Sequence, residues 1–180
     1  MNPSTLLQKY YSSNSVTFDI LMKHSELVTK KAVTIAQSHP ELHADVSFIE
    51  EAAMLHDIGI FLTNAPELGC FGACQYIAHG YLGAAILRKE GLPRHALVCE
   101  RHTGTGIALQ EIIARKLPLP HRDMLPQSIE EQIICFADKF FSKSCNDKEL
   151  SIKQIQAALA RYGEAGLARF NGWAALFSLP

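Results

Sequence analysis

Ala52-Ala53-Met54-Leu55-His56-Asp57-Ile58-Gly59 is the stretch on which the fold turns. An apolar run of helical character delivers an adjacent imidazole and carboxylate, then meets a glycine that can break the helix. Upstream, Ser47-Phe48-Ile49-Glu50 reads as a capping box, and Ile49, Ala52, Ala53 and Leu55 form the buried side of the helix it starts. Further back, from about residue 17 to 37, Ile20, Leu21, Leu27, Val28, Ala32 and Ile35 recur at three and four residues. His24 lies three after Leu21 and four before Val28, so it shares that buried stripe. Pro40 closes this helix, and His39 and His43 in the loop beside it are expected to face solvent. A short helix over residues 4–11, capped by Ser4, ends at the Ser12-Ser13-Asn14-Ser15 break.

Downstream of Gly59, residues 59–74 are rich in Gly, Pro and Asn and carry Cys70 and Cys74, which predicts an irregular loop. A loop of this length in a compact domain is uncommon unless it covers a site, and Phe61, Leu62, Leu68 and Phe71 are its apolar anchors. Helical spacing resumes over 75–90, with Tyr76, His79, Leu82, Gly83, Ile86 and Leu87 on one side and Gly91 as the stop. Pro93 opens a helix that ends at His102, before Thr103-Gly104-Thr105-Gly106. Residues 107–115 form another short helix, which Pro118 and Pro120 prevent from continuing. Ser128-Ile129-Glu130-Glu131 is a second capping box, leading into Ile133, Ile134, Ala137, Asp138 and Phe141. Ser151 with Gln154 is a third, and residues 171–179 bring Trp173, Leu176 and Phe177 as anchors. With no sustained period-two alternation, no repeat and no linker, the expected fold is all-α. A single domain spans 1–180, with a core over 17–142 and a C-terminal helical extension over 151–180.

Composition narrows the function. The 180 residues are 48% hydrophobic and 19% charged, with a net charge of -1. That balance gives no reason to expect nucleic acid or an anionic membrane as partner. No apolar run approaches the roughly 20 residues that cross a bilayer. A start without basic residues or an apolar core, and five cysteines without framework spacing, point to reduced thiols in a cytoplasm. Eight histidines become informative through position. His24, His56, Asp57, His79, His102 and Asp138 are polar exceptions on apolar faces of five separate helices. Burying isolated carboxylates costs several kcal/mol, so two of them among four imidazoles need compensation. A divalent cation supplies it, since imidazole nitrogens and carboxylate oxygens are the ligands of Zn, Fe, Mn and Ni sites. The two oxygens of Asp57 could bridge two ions.

The ordered set resembles the HD-domain superfamily of metal-dependent phosphohydrolases, and His56-Asp57-Ile58-Gly59 is similar to its HDIG subgroup. His79-Gly80, His102-Thr103-Gly104 and Ala137-Asp138-Lys139 resemble the binuclear, YqeK-like branch, over roughly residues 20–142. The resemblance implies one divalent ion (Fe, Mn, Zn, Ni or Mg) on His24, His56, Asp57 and Asp138. It implies a second on Asp57, His79 and His102, with an activated water attacking a phosphate ester or anhydride of a nucleotide or related metabolite. His56 and Asp57 thereby acquire the catalytic role. Ile60 stands where many HDIG motifs carry lysine, and the absence of a Gly-Tyr-Pro motif speaks against the cyclic di-GMP phosphodiesterase branch. Two further functions use the same ligands: a mixed-valent di-iron oxygenase and a metal-containing regulatory module without turnover.

Arg101 and Lys139 flank ligand positions and are candidate phosphate contacts; Arg88 and Arg122 have weaker claims. Cys70 and Cys74 lack two further matching ligands, so they read as loop thiols. His95 and His121 are expected at the surface, and Ser128 as a helix cap rather than a nucleophile.

Overall fold

The computed structural model describes residues 2–12, 15–143 and 148–177. Among them are nine α-helices: α1 (Pro3–Tyr10), α2 (Val16–Ser38), α3 (Val46–Leu55), α4 (His79–Lys89), α5 (Pro93–Arg101), α6 (Leu109–Ala114), α7 (Ile129–Asp138), α8 (Ile152–Leu159) and α9 (Glu164–Leu176). The all-α reading therefore holds. Residues 59–74 are more ordered than their composition suggests. Three short strands, β1 (Thr63–Ala65), β2 (Cys70–Phe71) and β3 (Cys74–Gln75), form a small sheet in the order β2-β1-β3. β1 runs antiparallel to β2 and parallel to β3. Two- and three-residue strands are too short to leave an alternating signature. Leu68 anchors this segment as expected, whereas the Phe71 ring is 79% exposed.

Two helix starts differ from the sequence reading. In α1 the cap is Asn2, whose Oδ1 accepts from Thr5 N, because Pro3 takes the first helical position where its missing amide costs nothing. In α3 the cap is Asp45, not Ser47: Asp45 Oδ1 accepts from Phe48 N at 3.1 Å, and the Ser47 hydroxyl donates to the same oxygen. A carboxylate satisfies the free amides and the positive helix end together. Ser128 caps α7 as expected, but Glu131 reaches past the cap to the amide of Gln127. Ser151 and Gln154 make both halves of their box. Ser13, Asn14 and residues 178–179 lie outside the described residues.

The Asp45 cap is testable. Arg94, then the Phe48 amide and Ser47, hold its carboxyl down to about 2, from an ordinary 3.8. A carboxyl depressed in the folded state stabilises fully above its unfolded value and loses that contribution as pH falls through the folded one. Asp45→Ala should therefore cost about 1 kcal/mol at pH 7, with the deficit shrinking between about pH 4 and pH 2. Urea unfolding midpoints at both ends of that window measure it; a deficit that does not change with pH would contradict the assignment.

The interior is divided. One apolar cluster joins Phe18 and Leu21 of α2 to Leu55, Ile58, Leu87 and Cys99. A second joins Val28, Ala32 and Ile35, further along the same helix, to Ile49, Ala53, Ile134 and Phe136, and to Phe170, Trp173 and Phe177. A third, smaller cluster contains Ala78, Ile107 and Ile112. Helix α2, about 35 Å long, spans the first two, and its buried His24 and Ser25 lie between them. The C-terminal anchors Trp173 and Phe177 are buried, but Leu176 is 46% exposed and anchors nothing.

Gly59 has a role other than breaking a helix. Its backbone is ordinary (φ -85°), so any residue could adopt it. What it provides is closeness: a Cβ there would run into the carbonyl oxygen of His79 and stand 2.5 Å from Gly83 N. The chain following His56-Asp57 is thereby held against the first turns of α4. Gly59→Ala should destabilise the protein by about 1–3 kcal/mol, as overpacking does, read from the denaturant midpoint. Wild-type stability in that variant would show that α4 can shift freely.

Candidate metal centre

The seam between the apolar clusters holds the polar residues picked out in the sequence. His24 projects from the middle of α2, His56 and Asp57 follow α3, His79 begins α4, His102 follows α5 and Asp138 ends α7. All six are buried, with His56 and Asp57 at 0% exposure. They form two groups that share Asp57: His24, His56, Asp57 and Asp138, and Asp57, His79 and His102. In each group the potential ligand atoms lie within 4.8 Å of one another.

Around Asp57 Oδ2, His56 Nε2 stands at 3.1 Å and His24 Nε2 at 3.3 Å. Asp138 Oδ1 is 3.0 Å from His24 Nε2 and 3.5 Å from His56 Nε2. Around Asp57 Oδ1, His79 Nε2 stands at 3.2 Å and His102 Nε2 at 3.3 Å. Atoms that each sit about 2.1 Å from one ion are separated by about 3.0–3.4 Å, so the spacing suits a shared cation.

The ring tautomers decide what these nitrogens can do. His56 Nδ1 donates to the Ala53 carbonyl at 2.6 Å, His79 Nδ1 to Tyr76 at 2.7 Å, and His102 Nδ1 to Cys99 at 2.8 Å. A carbonyl only accepts, so Nδ1 must carry the hydrogen and Nε2 is left to bind. His79 Nε2 and His102 Nε2 then face each other at 3.0 Å, an arrangement that requires a cation or proton between them. Among described groups, Asp57 Oδ1 accepts no well-aligned hydrogen bond, and Oδ2 is met by Lys143 only as an ion pair. His24 Nδ1 also lacks a partner, so its tautomer is not fixed in this way. These features fit a divalent metal centre.

Electrostatics agree. Burial works against ionising Asp57, but His56, Lys143 and His102 keep its carboxyl well below the usual range. Asp138 is likewise buried and held down by Lys139, His24 and His56. Burial alone would discharge His56, yet Asp57 and Asp138 raise it to about 9, so a bound metal must displace a proton there. Burial pushes His102 down to about 4, leaving it neutral near pH 7.

Four contributors were not evident in the sequence. Lys143 Nζ lies 2.6 Å from Asp57 Oδ2. Despite burial, Asp57, Tyr76 and Asp138 raise its pKa, so it stays charged. Ile60, which follows Gly59, is buried among apolar residues, and the ammonium group beside Asp57 comes from Lys143. Tyr76 stacks on His79 with ring centroids 4.7 Å apart, and burial pushes its hydroxyl up to about 12. The Cys99 thiol donates to the His56 carbonyl, and Cys135 to that of His102. Burial raises both thiols, Cys135 to about 12, so they serve as hydrogen-bond donors rather than thiolate ligands. The only sequence signal for these four was proximity to a ligand or an apolar stripe.

The candidate phosphate contacts separate. Lys139 Nζ is 2.7 Å from Asp138 Oδ2 and lines the adjoining cavity. Arg101 points elsewhere, paired with Glu131 at 2.9 Å. Arg88 and Arg122 both pair with the buried Glu100. His95 is not a surface residue: it is buried, edge-on to Phe48 and 3.2 Å from Glu51, because it turns inward on α5 toward α3. His43 and His121 are exposed, while His39 is half-buried beside Glu41. Cys70, Cys74, Cys99 and Cys135 are free thiols; Cys145 lies outside the described residues. The 59–74 segment contributes Glu67 and Leu68 to the cavity wall, and Leu68 and Cys70 pack into the first apolar cluster.

Comparison with known proteins bears on this geometry. Residues 21–142 match the family described as HD domain. A protein of Thermoplasma volcanium named tRNA (cytidine(56)-2'-O)-methyltransferase is 36% identical over 151 residues, covering 83% of this chain and 38% of the relative. The protein of that name from Picrophilus torridus is 36% identical over 138 residues, covering 76% and 35%. An uncharacterised protein of Methanocaldococcus jannaschii is 35% identical over 135 residues, covering 74% and 70%. The chain thus spans little more than a third of the two methyltransferase-named relatives. No solved structure matches it.

Proposed function

This chain belongs to the HD-domain family, and from that premise we propose that it is a metal-dependent phosphohydrolase acting on a small phosphorylated metabolite, in the first instance a nucleotide. The observation that carries the reading is the pair of buried ligand groups sharing Asp57. His24, His56, Asp57 and Asp138 would hold one divalent ion, and Asp57, His79 and His102 a second. When bound, such ions supply Lewis acidity and make water nucleophilic near neutral pH.

The chain's own residues do the rest. Three backbone carbonyls fix the imidazoles with Nε2 toward the centre, so little reorganisation accompanies binding. Lys139 and Lys143 place ammonium groups at the cavity beside Asp138, where they can orient phosphate oxygens and offset their charge. The flanking apolar clusters keep the centre in a poorly solvated surrounding. Residues 17–142, with Lys143 immediately after them, would form the catalytic unit and residues 151–180 an extension of the same domain. Among the described residues no helix is long and apolar enough to cross a membrane, and the reading invokes no membrane or nucleic-acid partner.

The methyltransferase name of two relatives is not carried over. Most of their length lies outside the match, and six buried imidazole and carboxylate donors suit cation binding rather than methyl transfer. The test is metal analysis of protein purified without added metal, followed by phosphate release across a nucleotide panel and oxygen uptake with iron. One or two divalent ions per chain with phosphate release are expected. Oxygen uptake without phosphate release would place the chemistry with di-iron oxygenation, and neither activity would leave a regulatory metal module.

A further inference from the structure

Two cavities beside the metal centre share part of their walls. The first, of about 470 Å³, is lined by Asp138, Lys143, Tyr76 and Glu67. The second, of about 330 Å³, lies between the Thr103-Gly104-Thr105-Gly106 loop and the C-terminal segment, with Ile77 and Leu159 in its wall. Lys139 and Tyr162 line both. A charged lobe, with Lys139 and Lys143 beside Asp138 and Glu67, therefore adjoins a less polar one, and an aromatic ring stands where they meet. That ring is 67% exposed, and Arg115 Cζ lies 5.9 Å from its centroid.

Tyr162 and Leu159 lie beyond residues 21–142, outside the stretch that matches the family. The family core thus supplies Tyr76, Asp138 and Lys139 to the first lobe, Lys143, Leu150 and Tyr162 complete it from beyond the match, and Leu159 and Tyr162 form one wall of its neighbour. A largely exposed tyrosine ring at the rim of a small cavity suits a planar, polarisable group, since stacking tolerates any base and adds contact at little entropy cost. Ile77 and Leu159 extend the apolar surface beside it.

We propose that Tyr162 is a specificity-determining residue, stacking on the heteroaromatic base of a nucleotide whose phosphate lies beside Lys139 and Lys143. This rests on the phosphohydrolase reading for the identity of the site, but base contact can be measured without turnover. The experiment is saturation-transfer NMR on the full chain in chelator, with AMP, GMP, CMP, UMP and ribose 5-phosphate as probes. Wild type, Tyr162→Ala and Tyr162→Phe are compared; the side chain is exposed, so its truncation leaves the core intact.

Base protons of at least one nucleotide should receive saturation from the protein. Its Kd should rise about tenfold in Tyr162→Ala and stay within about twofold in Tyr162→Phe. Ribose 5-phosphate should bind all three proteins equally. Absence of base saturation with all four nucleotides, or equal nucleotide affinity in Tyr162→Ala, would overturn the inference. A parallel phosphate-release assay separates the two ideas. Lost hydrolysis with intact base contact removes the enzyme reading alone, and hydrolysis with no effect of Tyr162→Ala on the preference for nucleotides over ribose 5-phosphate removes this one.

Discussion

Asp57→Ala is expected to lose both ions and nearly all phosphate release. Its two oxygens face different groups: Oδ1 the His79–His102 pair, Oδ2 the His24–His56 pair with Asp138 close by. Removing the side chain deletes an anionic donor from each group at once. Metal content by mass spectrometry should fall close to zero and turnover by about a thousandfold or more. Asp57→Asn keeps the shape and one acceptor oxygen but not the charge, and it should lose affinity for both ions. Circular dichroism on both variants separates loss of ligand from loss of fold. Full metal content in Asp57→Ala would end the shared-carboxylate assignment.

The double variant His79→Ala/His102→Ala should behave differently. The four-ligand group contains two carboxylates and keeps every donor, so about one ion per chain should remain while phosphate release falls by about a hundredfold or more. His79 and His102 offer neutral donors and share their carboxylate, which makes theirs the weaker position. Two ions still bound in the double variant would show that the second lies elsewhere.

The sequence displayed the helices and the six candidate ligand positions because both depend on periodicity. His24 and Asp138 each occupy a gap in an apolar stripe, and a polar residue in such a gap must find a partner inside. His95 shows where this fails: a histidine beside Arg94 in a polar-looking segment turned inward, and the apolar residues it packs against are far away in sequence. Lys143 was illegible for the same reason. Nothing within a few residues distinguishes it from a surface lysine; only the return of the chain after α7 brings it to Asp57. The strands of the 63–75 segment are too short for their pairing to be read locally. The caps at Asn2 and Asp45 were missed because two acceptors lay within three residues of each helix start, and charge or a neighbouring proline decided between them. The closeness at Gly59 was likewise hidden, since a sequence shows that a side chain is missing but not what passes through the space.

The division of the interior by the polar seam has a consequence for cooperativity. Helix α2 runs through two apolar clusters that meet at His24, and the chain after α3 crosses between them at His56-Asp57. The cost of burying carboxylates and imidazoles is concentrated at that boundary, whereas each cluster is cohesive within itself. Without divalent ions the two sides can open as partly independent units; with ions bound, ligands drawn from both sides fasten them into one. Amide hydrogen exchange would record the change as a single, higher opening free energy replacing two lower ones. A centre suited to chemistry would then also set how much of the chain unfolds at once.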